Sequence, residues 1–167
     1  YNPLGKLDVN SVNYDDDLSY ISEALIVVRG PDKHWDEYAR IFVSGLIDLI
    51  VRCKDNVTLY NIRNLLCLPD DKLVAYLNEV VPEMPINSFA SRRLQQFLTG
   101  NKENSSIISA ARRQTEILDS SILALNMMSS SFDFNAFSAN NVSLFIILPI
   151  DKLVTYGRWL RLIINAA

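Results

Sequence analysis

Histidine is nearly absent from this chain. His34 stands alone among 167 residues, and the two cysteines, Cys53 and Cys67, lie apart from it and from each other. A zinc-type site needs several His, Cys or carboxylate ligands converging from spaced positions, and nucleophilic catalysis needs a base within reach of its nucleophile. Neither pattern is present in the sequence, so an enzyme built on metal or thiol chemistry is disfavoured. The two thiols are expected to be reduced, half-buried and in a cytosolic setting. An excess of basic charge is missing too, since 19 acidic and 16 basic side chains leave a net charge of -3 and a pI near 5.1. The whole-molecule field opposes nucleic acid, and any phosphate contact would have to come from a local patch. No run approaches the ~20 apolar residues needed to cross a bilayer, and the opening YNPLGKLDVN carries no signal-peptide pattern. What remains, 49% hydrophobic and 21% charged, is the composition of a globular domain with one substantial core.

The strongest signal is HWDEYARIFVSGLIDLIVRC. Trp35, Ala39, Phe42, Val43, Leu46, Leu49 and Ile50 recur at helical spacing, and Asp36, Glu37, Arg40 and Asp48 fall mainly on the other face. This predicts a core helix over Trp35–Cys53 with Asp32 as its cap. Gly45 sits mid-helix, where Ala would be better by about 1 kcal/mol, and predicts a second helix crossing closely at that point. Upstream, Asp15, Asp16 and Asp17 place negative charge at the start of a helix that runs through Leu18, Ile21, Leu25 and Val28 to Gly30-Pro31. As consecutive residues on a helix start they point apart, which suits dipole complementation and not metal binding. His34, with Asp32, Asp36 and Glu37, reads as the solvated first turn of the core helix.

Thr58 opens a short helix to Leu66, Leu68-Pro69-Asp70 breaks it, and a second helix follows through Val80. The pair resembles helix-turn-helix superficially, but its second helix offers Asp70, Asp71, Lys72, Asn78 and Glu79 where base readout needs a basic and amide-rich face. Two packed structural helices are expected. After Pro82 and Pro85, Asn87 or Ser88 caps a helix with Ala90, Leu94, Phe97 and Leu98 inward, stopped by Gly100. A polar bend, GNKENSS, then leads to a long helix from about Ser105 to Met128. Ile107, Ile108, Ala111, Leu118, Ile122 and Leu125 form its inner face, widened by Ile117, Ala124 and Met128. Arg92-Arg93 and Arg112-Arg113 are expected on the surface. With Lys102 in the bend, Arg92, Arg93, Arg112 and Arg113 are the candidate partner-binding residues, suited to phosphate or an acidic protein surface. No catalytic, metal or cofactor-binding residue is assigned.

Val142 to Leu148 is a continuous apolar run ending at Pro149, the pattern of a strand buried on both faces, yet the chain offers no second strand. A helix is expected from near Asp151 through Leu153, Tyr156, Leu160 and Ile163-Ile164. The expected fold class is mainly α, a bundle of about six to eight helices with one apolar strand near the C-terminus. Both ends read as cut from something larger.

The unit SLFIILPIDKLVTYGRWLRLIINAA resembles a segment of the TraG/TraD-type coupling proteins of type IV secretion, where a buried strand ends in proline and continues into a D-x-L…Y…L-x-R-L helix. Here those positions are Pro149, Asp151, Leu153, Tyr156, Leu160, Arg161 and Leu162. Tyr1-Asn2-Pro3-Leu4 is similar to the family's Y-N-P-L stretch, and Trp35 with Ala39, Ser44 and Leu46 to its W…A…L helix. Arg113 to Asn126, followed by Phe132-Asp133, resembles its SSIL-x-x-L…F-D helix and loop.

The resemblance implies that residues 15–141 are an all-α domain inserted into a RecA-like motor of a hexameric ATPase. Residues 1–14 would be an extended flank from that motor and 142–167 a strand-Pro-helix flank returning to it, the strand belonging to an absent sheet. ATP and Mg would be bound elsewhere in the parent. Gly5-Lys6-Leu7 lacks the hydroxyl and the preceding glycine of a phosphate loop, and no Walker B carboxylate follows the 142–148 run. The implied function is substrate recognition and docking in the bacterial cytoplasm, at the cytoplasmic face of the inner membrane, with membrane contact only through regions outside this chain. Implied partners are an effector protein, a relaxase complex, or a chaperone or small regulator. The alternatives are a DNA-contacting helical domain, which steep salt dependence of binding would mark, and a free-standing helical adaptor.

Overall fold

The computed structural model describes residues 1–29, 33–53, 57–134 and 143–165. Within these the chain forms α1 (Tyr14–Leu25), α2 (Lys33–Cys53), α3 (Leu59–Leu66), α4 (Asp70–Val80), α5 (Phe89–Leu94), α6 (Lys102–Gln114), α7 (Ser121–Asn126) and α8 (Gly157–Asn165), joined by short 3-10 turns. The fold is mainly helical. The Gly30-Pro31 stop, the Asp32 cap and the loop around Phe137 lie outside the described residues.

Helix α2 is the axis of the core. Its apolar stripe buries Phe42, Leu46 and Leu49 completely, and α1, α3, α5 and α6 pack around it. The close crossing expected at Gly45 is made by α5. A Cβ added at Gly45 would stand 2.8 Å from the Leu94 side chain, inside the limit of ordinary contact. Immediately beyond, Phe42 and Phe97 pack with ring centroids 4.4 Å apart. The polar face of α2 departs from expectation, because Asp36 and Asp48 are both buried. Asp48 accepts from the Tyr14 hydroxyl at 2.7 Å, from Arg52 Nε at 2.6 Å and from the Ala90 backbone N–H at 2.8 Å, tying α1, α2 and α5 to one carboxylate. Asp36 accepts from Gln114 Nε2 at 2.5 Å. Sequence periodicity assigns a carboxylate to solvent; burial is tolerated only where donors are supplied, and donors from distant stretches are not legible in a helical pattern.

Helix ends follow their local chemistry. The Thr58 backbone N–H donates to Asn61 Oδ1 at 2.8 Å in a capping box, and the Ser88 hydroxyl accepts from the Ser91 N–H at 3.0 Å. Gly100 adopts φ +60, the left-handed conformation glycine accepts without a Cβ penalty. Helix α1 ends at Leu25, earlier than the apolar spacing predicts. The Gln114 amide captures Val27 on both sides, accepting from its N–H at 2.8 Å and donating to its carbonyl at 3.1 Å, so that backbone is drawn out of the helical ladder.

The single long helix expected from Ser105 to Met128 is three elements. Asn101 accepts from the Asn104 N–H at 2.8 Å, so α6 starts inside the stretch read as a bend. It stops at Gln114, a 3-10 turn covers Glu116–Asp119, and Ser120 caps α7. Arg63 of α3 fixes the break. It holds Asp119 through two bonds of 2.7 and 2.5 Å and donates to the Arg112 carbonyl at 2.7 Å and to the Thr115 hydroxyl at 3.1 Å. Past the break Leu123 and Met127 turn inward, whereas Ile122, Leu125 and Met128, expected on the inner face, are exposed.

The flanks differ as well. Pro3–Lys6 is a 3-10 turn capped by Asn2, not an extended piece, and Tyr1 packs on Phe132 and Phe134. Residues 143–149 carry no strand, and among the described residues none occurs elsewhere to pair with one. A strand must satisfy its backbone on a neighbour, and the described residues supply no edge to pair with. Pro149 then leads through a 3-10 turn, Ile150–Lys152, to α8, which buries Leu162 and Ile163 and packs on α1. Cys53 and Cys67 are both exposed rather than half-buried.

Candidate functional site

The five basic residues singled out in the sequence do not form one patch. Consecutive residues on a helix diverge by about 100°, so each arginine pair is split between two environments. On α5, Arg92 is exposed and faces Asp15 at 3.8 Å. Arg93 turns inward, correcting the expectation that both arginines leave for the surface. It lies 3.6 Å from the Phe89 ring centroid and donates to the Ser44 hydroxyl, and burial, with Arg92 adding to it, lowers its guanidinium below the ordinary value.

On α6 the pair divides the same way. Arg112 is wedged into the α3–α4 junction, donating to the Leu66 carbonyl at 2.6 Å and the Leu68 carbonyl at 2.7 Å and pairing with Asp70 at 2.8 Å. It closes the C-terminal end of α3 and the N-terminal end of α4 with one side chain, a role that helix ends require. Arg113, its side chain 71% exposed, reaches Asp36 at 3.4 Å. Lys102 is exposed on the first turn of α6, near the His34–Glu103 contact of 3.3 Å.

A different set of arginines converges instead. Arg29 just beyond α1, Arg113 on α6, and Arg158 and Arg161 on α8 line a cleft of about 480 Å³, with Asp36 as the one carboxylate among the described residues that line it. Gln114, buried beside it, positions the cleft by binding Val27 and Asp36 and accepting from Arg158 at 3.4 Å. Burial lowers the Arg158 guanidinium below its ordinary value, and Arg29 and Arg113 add to the effect. Arg158 and Arg161 stand three apart on one helical face, a spacing visible in the sequence. Their approach to Arg29 and Arg113 depends on the docking of α8 and on the early end of α1, neither of which is written in local pattern.

A second cavity, of about 410 Å³, lies at Tyr1, Lys6, Asp17, Tyr20 and Asp133; Lys6 and Asp133 pair there at 2.5 Å. Among the described residues no three His, Cys, Asp or Glu side chains gather as a metal site requires. No described helix is long and apolar enough to cross a membrane. The geometry is that of a helical body in which six arginines are engaged by carboxylates or an aromatic ring and the other four line one cleft.

A family profile described as type IV secretory system conjugative DNA transfer matches residues 1–167. No curated protein and no solved structure matches the chain. With the profile running through every helix described above, the chain belongs to the type IV secretory system conjugative DNA transfer family, the TraG/TraD type of coupling protein.

Proposed function

We propose that this helical domain is the cargo-docking part of a coupling protein, receiving an effector protein, a relaxase complex, or a chaperone or regulator at the cytoplasmic entrance of the ATPase. The observation that carries the reading is the division of the two arginine pairs among separate surroundings. Arg92, Arg112 and Arg113 face three different surroundings, Arg93 is turned inward, and the chain as a whole is acidic. A duplex presents phosphates along a rod and needs a continuous basic track to follow it, whereas a protein partner needs local complementarity only. The DNA-contacting alternative loses the arginine pairs on which it rested.

In this reading residues 15–141 are the docking body, and 1–14 and 142–167 connect it to a RecA-like motor that binds ATP and Mg and assembles as a hexamer at the inner membrane. The exposed Phe145, Ile147 and Ile150 support a missing neighbour for that second flank, since adjacent large apolar side chains left in water mark contact surfaces. The same exposure weighs against a free-standing adaptor, which would fold this stretch onto the bundle.

The test uses the domain as bait in an extract of its source bacterium, at two salt concentrations and with nuclease. Retention of a relaxase, effector or chaperone that survives nuclease is the expected result. Loss of all retained protein on nuclease treatment would transfer the function to DNA contact, and an empty bait would overturn docking by this domain.

A further inference from the structure

We infer that the cleft between α6 and α8 is a recognition site for an acidic peptide segment, whose carboxylates are received by Arg29, Arg113, Arg158 and Arg161. This rests on the docking reading and gives the chemistry of what docks. The starting point is an imbalance. Of the ten arginines in the sequence, four line this one cleft, facing a single carboxylate among the described residues, in a molecule whose net charge is -3. Outside it, Arg40 pairs with Glu23, Arg52 with Asp48, Arg63 with Asp119, Arg92 with Asp15 and Arg112 with Asp70, and Arg93 is stacked on Phe89. Among the described residues, guanidinium charge is left over only in the cleft. Like charges held together repel, and the arrangement is relieved by a ligand that brings anions.

Shape and field choose among anions. Val27, Val154 and Thr155 line the cleft with the arginines, so it offers apolar contact as well as charge. Glu and Asp side chains present both, a carboxylate on an apolar stem. The guanidinium fork takes a carboxylate through two parallel hydrogen bonds. A nucleic acid would bring charge to the whole acidic surface, and no line of unmatched arginines leads out of the cleft to follow a backbone. The acidic start of α1, Asp15 to Asp17, lies at the far end of that helix, on the order of 15 Å along it at ~1.5 Å per residue. A peptide bound at the cleft therefore lies away from that acidic run.

The experiment is fluorescence anisotropy on the 167-residue chain with a short labelled oligo-glutamate, an oligo-glutamine of equal length and a DNA single strand of matched charge. The glutamate peptide is expected to bind, weakening as salt is raised, and the glutamine peptide to show no binding. Arg158→Gln with Arg161→Gln should lower affinity by about tenfold or more through loss of two charge-assisted contacts. Arg161→Gln alone, at an exposed side chain that cannot disturb the fold, should lower it by about threefold or more. Arg92→Gln should leave it unchanged. Absence of glutamate binding, equal binding by the Arg161→Gln chain, or tighter binding of the oligonucleotide through the same arginines would each overturn the assignment. If cargo is still retained by the bait while the glutamate peptide is ignored, the cleft assignment alone falls and the docking reading stands.

Discussion

Replacing Asp48 with alanine tests whether one buried carboxylate holds three helices in register. The change removes the acceptor for the Tyr14 hydroxyl, Arg52 Nε and the Ala90 N–H. Arg52 is part-exposed and can turn to water, but Tyr14 and Ala90 are buried and cannot. A buried donor left without a partner costs about 1–3 kcal/mol, so two cost about 2–6, offset in part because a buried charge is also removed. The expected net loss is about 3–5 kcal/mol out of a total stability of about 5–15 kcal/mol. For a chain of this size that corresponds to a Tm lower by about 6–20 °C, at about 2–4 °C per kcal/mol. Urea unfolding followed by circular dichroism gives the loss directly, and a cycle with Tyr14→Phe separates the Tyr14 contribution. Asp48→Asn should also destabilise, because one carbonyl oxygen cannot serve all three donors. A loss below about 1 kcal/mol for Asp48→Ala would refute the view that this junction organises the core.

Tyr14 carries a pH signature of the same junction. Burial, with the Asp48 hydrogen bond adding to it, raises its hydroxyl well above the ordinary tyrosine value, so its contribution is fully present below about pH 10 and is lost as pH rises beyond it. Stability against pH should bend downward above about pH 10 in the wild type and bend less in Tyr14→Phe, as read from urea midpoints. Gly45→Ala should destabilise by up to about 2 kcal/mol, since overpacking against Leu94 outweighs the gain in helix propensity; a stabilised variant would show that α5 is free to retreat. Arg112→Ala should cost about 1–3 kcal/mol through the orphaned Leu66 and Leu68 carbonyls, whereas Arg113→Ala should change stability by less than about 0.5 kcal/mol. Equal effects of the two in thermal melts would contradict the division of that pair.

Much of the architecture was legible in local pattern. The stripe of α2, the Thr58 start, the Pro69 break, the Ser88 cap and the Gly100 stop all rest on chemistry within a few residues, and the structure keeps them. Gly45 even announced a neighbour, because a glycine in mid-helix is hard to explain otherwise. What escaped depends on distant partners. The break after Gln114 is imposed by Arg63 from another helix, and the early end of α1 by Gln114 itself. The burial of Asp36 and Asp48 waits on donors 78 and 42 residues away, which periodicity cannot report. The apolar run after Val142 carries a strand's composition without the partner that would make it one. The arginine pairs misled for a simpler reason: adjacency in sequence is divergence on a helix. The cleft that gathers four arginines joins α6 and α8 with the end of α1, and only Arg158 and Arg161 share a face that could have been read in advance.

The crossing at Gly45 also determines how the bundle can move. With no Cβ at Gly45, the Leu94 side chain of α5 packs directly onto the backbone of α2 and fills the space a Cβ would take. The two helices cannot press nearer, and Asp48, bound to the Ala90 amide, resists their separation. The same bond, with Arg93 donating to the Ser44 hydroxyl, holds α5 in register along α2 and opposes the shear motion open to packed helices. A rearrangement passed from the surface through α5 therefore moves α5 and α2 together, and the loop before Ser88 and the turn after Leu94 must absorb it.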